Sequence, residues 1–297
     1  MKDLLGRLSR DLNLRRSQVE RTVALFDEGN TLPFIARYRK EVTGGLDEVQ
    51  LAAFRDRLNE LRKLDERQKA VLKSIAEQGK LTPELEEAIE EAETLQEVED
   101  LYLPYRPKRR TRAQVARERG LEPVAAWILE QRLLAEGERD RAVADYLSDE
   151  VPTPEDAWQG ARDIVAEVVS DDAQSREVIR SLTWRSGVLV AEVADEAQDP
   201  KRVYELYYAF QSGLRQVKPH QVLALNRGER DGVLRVSVEV DEEQAIAALE
   251  RLYPPSPRSA LAADLHAAIV DGYRRLIRPS IEREVRRDLT EQADEHA

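Results

Sequence analysis

The sequence predicts a mainly α protein, with a many-helix N-terminal region, an inserted helix-turn-helix and a small two-stranded β element. Three observations carry that prediction. Helix-start signals recur along the chain, where a cap residue precedes either proline or a glutamate or glutamine three positions on. Apolar residues fall mostly at three- and four-residue spacing, the period of a helix with one buried face. Only two segments break that pattern. Charged residues make up 35% and hydrophobic residues 41% of the 297 residues, a balance that suits amphipathic helices with solvated outer faces.

Taken in order, Ser17 to Glu20 and Thr94 to Glu97 each read as a capping box. Asp47 with Gln50 has the same logic and opens one long helix running to Gln78, closed by Gly79. Along it Leu51, Phe54, Leu58, Leu61 and Leu64 share a face. Thr82-Pro83 and Thr153-Pro154 each start a helix, because proline at the first turn lacks an N–H that would be orphaned anyway. Gly187 to Val193 reads as a short strand, and Leu234, Val236, Val238 and Val240 alternate with polar neighbours. These two segments are expected to pair. Helices then resume, with Pro279 starting or kinking the last. The expected division is residues 1–185 and 186–297, with the helix-turn-helix at about 82–132.

Composition excludes several function classes. The chain has no cysteine, so disulfides, thiolate metal sites and a catalytic thiol are ruled out. His220, His266 and His296 lack metal-ligand spacing, and no metal or other cofactor is expected. The charged N-terminus has no signal-peptide core, and no stretch approaches a membrane span, so a soluble cytoplasmic protein is expected. No phosphate loop, dinucleotide fingerprint, zinc-protease motif or nucleophile elbow is present, and no catalytic residue is assigned.

The chain carries 58 acidic and 46 basic residues, for a net charge of -12, yet Arg106 to Arg112 reads R-P-K-R-R-T-R. Two readings are open on the residues alone. Arg106, Lys108, Arg109, Arg110 and Arg112 either grip a phosphate backbone, with Tyr102 and Tyr105 nearby for stacking, or balance the ten acids between Glu77 and Asp100. A second cluster, Arg37, Arg39 and Lys40, belongs either to the same interface or to a short helix whose Phe34, Ile35 and Tyr38 pack while the cations stay wet. Thr111 to Leu121 reads as the first half of a helix-turn-helix, with Gly120 at the turn, Val115 and Ala116 facing the second helix, and Leu121 turned inward. The second helix begins Glu122-Pro123-Val124-Ala125-Ala126-Trp127, without base-reading side chains, so the pair is expected to pack rather than to read sequence.

Two strings are more specific: L-P-F-I-A-R-Y-R-K-E-V-T-G-G-L-D (32–47) and D-L-Y-L-P-Y-R-P-K-R-R-T-R (100–112). With V-Y-E-L-Y-Y (203–208), H-Q-V-L-A-L-N-R-G-E (220–229) and the segment 265–285, they closely resemble the N-terminal region of the Tex family of bacterial transcription accessory proteins. The resemblance covers essentially the whole chain. It implies a helical region containing a helix-turn-helix, followed in the family by an RNase H-like domain, helix-hairpin-helix modules and an RNA-binding domain. The chain stops before these, so a fragment or truncated product is expected. The function implied is a non-enzymatic scaffold in a nucleic-acid-binding transcription accessory protein, with sequence-independent contact to an RNA or DNA backbone. RNA polymerase or other transcription or translation machinery is a further expected partner, and a membrane is not. The competing expectation is a protein-interaction scaffold docking that machinery or the missing domains.

Overall fold

The computed structural model describes residues 4–106, 110–135 and 137–295. It comprises two compact units, Met1–Tyr105 and Arg106–Ala297. Residues on both sides of position 185 share one core within the second unit.

The first unit is built along one long helix. Its elements are α1 (Leu4–Asp11), α2 (Arg16–Asp27), α3 (Leu32–Tyr38), α4 (Glu48–Glu77), α5 (Pro83–Glu91) and α6 (Leu95–Tyr102). Asp47 caps α4 by accepting from the Gln50 N–H at 2.8 Å, and the Gln50 side chain accepts from the Asp47 N–H at 3.1 Å. Gly79, at φ +67°, ends it in the left-handed region where a β-carbon is unfavourable. At 30 residues α4 is about 45 Å long, enough to serve three groups of partners in turn. Leu51 packs with Leu25, Ile35 and Leu46; Phe54, Leu58 and Leu61 pack with Leu8 and Val19; Leu64, Val71 and Ile75 pack with Ile89 and Val98. The five predicted face residues of α4 are all buried, each contributing about 1.5–3 kcal/mol.

Two capping boxes differ from expectation. Helix α2 begins at Arg16 with Arg15 as its cap residue, so Ser17 lies inside the first turn and caps nothing, and Glu20 pairs with Arg16 at 3.3 Å. At α6 Thr94 does cap, accepting from the Glu97 N–H at 3.1 Å, but Glu97 reaches back to the Glu93 N–H instead of to Thr94.

The second unit contains α7 (Arg112–Glu118), α8 (Glu122–Leu129), α9 (Arg139–Ala142), α10 (Pro154–Asp171), α11 (Ala173–Ser186), β1 (Val188–Val193), β2 (Ala209–Gly213), α12 (Pro219–Arg230), β3 (Leu234–Glu239), α13 (Glu242–Leu252), α14 (Ala262–Gly272) and α15 (Arg278–Glu295). Helix α10 is the centre, started by Thr153 and Pro154 as predicted and packed against α7, α8 and α14. Close approach is built in by glycine. A β-carbon on Gly160 would collide with Leu121 Cδ1, and one on Gly272 would meet the Ala166 carbonyl oxygen at 2.9 Å.

The two predicted strands pair antiparallel, Val188 opposite Glu239 and Val193 opposite Leu234. A third strand, β2, joins on the other side of β1, giving the order β2-β1-β3 rather than a two-stranded ribbon. The A-F-Q-S-G sequence of β2 has one large apolar residue and no alternation, so nothing in it marks a strand. The outer edge of β3 is occupied by side chains. Glu282 accepts from the Val238 N–H at 3.0 Å, Glu229 accepts from the Val236 N–H at 3.4 Å, and Arg286 donates to the Val236 carbonyl at 3.0 Å. Pro279 widens rather than starts the last helix. Residues Tyr273–Ile277 form a π-turn between α14 and α15, and the Arg278 N–H reaches the Tyr273 carbonyl. A proline ring crowds the carbonyl four residues back, and the wider turn relieves that contact.

The loop between β1 and β2 contains V-Y-E-L-Y-Y and is latched by buried Asp199. Its carboxylate accepts from the N–H groups of Val203 and Tyr204, both at 2.8 Å, and from the Tyr208 hydroxyl at 3.1 Å. Burial pushes the Asp199 pKa up, but the Tyr204 and Val203 amides, the Tyr208 hydroxyl and Arg202 outweigh it, leaving the carboxyl below its ordinary value. A depressed carboxyl stabilises the folded loop fully above the unfolded pKa, about 3.9, and that stabilisation is lost as pH falls through the folded pKa. Asp199→Ala is therefore expected to speed hydrogen exchange at the Val203 and Tyr204 amides at neutral pH. In the parent chain the same amides should lose protection only under more acidic conditions, and equal exchange rates in both proteins would count against the latch.

Candidate nucleic-acid interface

Helix α7 positions the described part of the basic run. Thr111 caps it, accepting from the Gln114 N–H at 3.0 Å, which places Arg110 just outside the helix and Arg112 at its first residue. Arg106, Arg110 and Arg112 are exposed, whereas Lys108 and Arg109 lie outside the described residues. Arg110 Nη2 lies 2.8 Å from Glu118 Oε2 at the far end of α7. Arg112 faces Asp163 of α10. Burial raises the Asp163 pKa, and the charges of Arg275 and then Arg112 act to lower it. Farther along, Arg117 meets Glu167 at 2.7 Å and Arg119 meets Glu150 at 3.4 Å. Two of the run's cations thus have counter-charges on α7 and α10.

The turn itself is as predicted: Gly120 sits at φ +77° and Leu121 is buried. The packing partner is different. Ala116 and Leu121 lie against Gly160 of α10, so the first helix docks on α10 rather than chiefly on the second helix. In α8, Val124, Ala125 and Ile128 are buried. An exposed reading face of cationic or amide side chains does not form there.

The tyrosines upstream of the run, which the phosphate-contact reading offers for stacking, are engaged within the first unit. The Tyr102 hydroxyl is 3.0 Å from Ser74 Oγ and its ring lies 5.4 Å from the Arg67 guanidinium. Tyr105 is half-buried and its carbonyl accepts from Gln78 at 3.0 Å. In the acidic block, Glu99 is paired with Arg67 at 2.5 Å.

The second predicted cluster differs. Arg37, Arg39 and Lys40 are exposed at the C-terminal end of α3, and among the described residues none of them is ion-paired. Ile35 is buried as expected, but Phe34 is half-buried and Tyr38 is 67% exposed, so that ring does not pack into the core. Phe34 and Tyr38 lie one turn apart with centroids 5.4 Å apart, and the Arg39 guanidinium sits 5.2 Å from the Phe34 ring. The loop after α3 is firmly held. Gln18 donates to the Thr43 and Gly44 carbonyls at 2.8 and 3.3 Å, and Thr43 and Leu46 are buried. Amides of residues 42, 43 and 45 bond the Arg39 and Lys40 carbonyls just beyond the helix. The signal available in the sequence was Tyr38 at the end of a short helix, followed at once by two cations.

The sheet side of the second unit presents apolar surface: Leu206 is 89% and Val203 65% exposed. Among the described residues no helix is long and apolar enough to cross a membrane.

The fold is mainly helical with exposed cations, α8 offers no base-reading face, and sequence comparison supplies the family. Residues 2–76 match the Tex-like protein N-terminal domain and residues 136–297 match the Tex central region-like family. The chain belongs to the Tex-like family. It is 42% identical over 298 residues to "Uncharacterized protein YdcI" of Bacillus subtilis, covering 99% of this chain and 41% of that protein. It is 41% identical over 234 residues to "Transcriptional accessory protein Tex" of Neisseria gonorrhoeae, covering 78% of this chain and 30% of that one. It is 31% identical over 311 residues to the human "S1 RNA-binding domain-containing protein 1", covering 99% and 31% respectively. The chain therefore spans between about a third and two-fifths of the length of these relatives.

Proposed function

We propose that this chain is the N-terminal scaffold of a nucleic-acid-binding transcription accessory protein, contacting a phosphate backbone without reading sequence and without catalysis. The observation that carries the reading is the cluster of exposed cations at Arg37, Arg39 and Lys40, none in an ion pair among the described residues, on a chain of net charge -12. Charges left in solvent on an acidic protein are available to displace counterions from a polyanion. Family membership supports it, as do relatives whose names refer to transcription accessory function and to an S1 RNA-binding domain. The apolar second helix of the helix-turn-helix favours backbone contact over base reading.

Arg106, Lys108, Arg109, Arg110 and Arg112 form a second proposed contact, weakened at Arg110 by its pairing with Glu118. Fluorescence anisotropy across a salt series tests both clusters. Each cation that touches a phosphate should contribute about 0.7 to the log–log salt slope on a single strand, or about 0.9 on a duplex. Arg37→Gln with Lys40→Gln should flatten the slope more than Arg110→Gln with Arg112→Gln. Binding with no salt dependence would overturn the reading.

A second reading, docking to RNA polymerase or other transcription machinery, is favoured by the exposed Val203 and Leu206. Polymerase captured equally with and without nuclease, and lost on Leu206→Glu, would support it.

A further inference from the structure

We infer that Tyr38 is a stacking platform for an exposed base, so that the α3 cluster takes an unpaired nucleic-acid strand in preference to a duplex. The inference rests on the backbone-binding reading and adds the class of strand. Four observations carry it. Tyr38 is 67% exposed at the end of a short helix, an arrangement that leaves apolar surface in water. Its orientation is backed by Phe34 at 5.4 Å, which is itself covered by Arg39 at 5.2 Å, and Arg39 Nη1 donates to the Tyr38 carbonyl at 3.1 Å. The immediate neighbours Arg37, Arg39 and Lys40 are cationic, and none of them is ion-paired among the described residues. The turn behind them is pinned by Gln18 and by left-handed Gly44 and Gly45, at φ +71° and +94°, so the ring and the charges are presented by a fixed backbone.

An open aromatic face with cations around it suits an alternation of flat bases and phosphates. In a duplex each base face is already stacked on its neighbours, so a protein ring gains a base only by unstacking it. A single strand offers its bases at little cost. An acidic peptide would use the cations but not the face of the ring.

The test uses the whole chain and labelled oligonucleotides of about ten residues, as RNA, as DNA and as the matching duplexes, with polyglutamate as competitor. Tyr38→Ala should weaken single-strand binding by about tenfold, leave duplex binding unchanged and leave the salt slope unchanged. Tyr38→Phe should restore affinity, because the face and not the hydroxyl is used. Arg37→Gln with Lys40→Gln should lower the slope in every arm. The ring is exposed, so melting curves should show Tyr38→Ala folding as the parent does. Salt-dependent binding that Tyr38→Ala does not weaken, or equal affinity for duplex and single strand, overturns the platform while leaving backbone contact standing. Polyglutamate binding that Tyr38→Ala weakens as strongly overturns it in favour of an acidic peptide. No binding to any nucleic acid overturns both.

Discussion

Asp264→Ala is expected to destabilise the Arg106–Ala297 unit by about 3–5 kcal/mol, the largest effect of any single carboxylate change described for this molecule. Asp264 is 5% exposed and accepts from Arg139 Nη2 at 2.9 Å and from Arg162 Nη1 at 2.7 Å. Arg162 also pairs with Glu155. Burial acts to lower the Arg162 pKa, but Glu155 and Asp264 outweigh it and hold it above its ordinary value. Arg139 is further confined, its guanidinium 4.7 Å from the Trp158 ring. Removing the carboxylate leaves two guanidinium groups pressed into a site with only the more exposed Glu155 and Asp140 to answer them. Asp264→Leu together with Arg162→Met should cost much less than Asp264→Ala, because the more buried guanidinium leaves with its carboxylate and Arg139 keeps Glu155 and Asp140. Urea denaturation followed by tryptophan fluorescence measures the difference. A parent-like midpoint for Asp264→Ala would mean that Glu155 takes over both arginines.

Trp158→Ala should cost about 3–5 kcal/mol, through lost transfer energy and the cavity left in the α10 core. The informative comparison is Trp158→Phe. The indole Nε1 is buried and has no hydrogen-bond acceptor among the described residues, so the native side chain already carries an unmet donor. Phenylalanine removes that donor while keeping an aromatic face against Arg139. Its cost should fall below about 1.5 kcal/mol, well under the value for alanine. A Phe variant as unstable as the Ala variant would show that the indole volume, and not the ring face, is what the site requires.

The helical architecture was legible because its signals are local. Asp47 with Gln50, Thr82-Pro83 and Thr153-Pro154 satisfy backbone groups within one turn, so their meaning does not depend on the rest of the chain. Ser17 misled because the same residue pattern two positions further in is just a polar first turn. The strands β1 and β3 announced themselves by alternation, while β2 is held by its pairing with β1, a long-range fact its own residues do not record. The basic run was conspicuous by composition, but Arg110 meets Glu118 only because α7 is short enough to bring its two ends within reach of one another. Sequence could not distinguish that cation from Arg37, which has no ion pair among the described residues. Of the two readings open for the Arg37 cluster, the one that packs Tyr38 fails because helical period assigns a residue to a face while saying nothing about where that face runs out of neighbours.

The side chains lying along the outer edge of β3 set a limit on self-association. A sheet extends into a fibre only if every copy offers two open edges, one to give and one to receive. Here Glu229, Glu282 and Arg286 occupy one of them, using residues of α12 and α15 that are themselves part of the folded core. Even if β2 met its counterpart on a second molecule, that pairing would consume the remaining edge on both. Growth would then close at two copies, and filaments would require α15 to detach first.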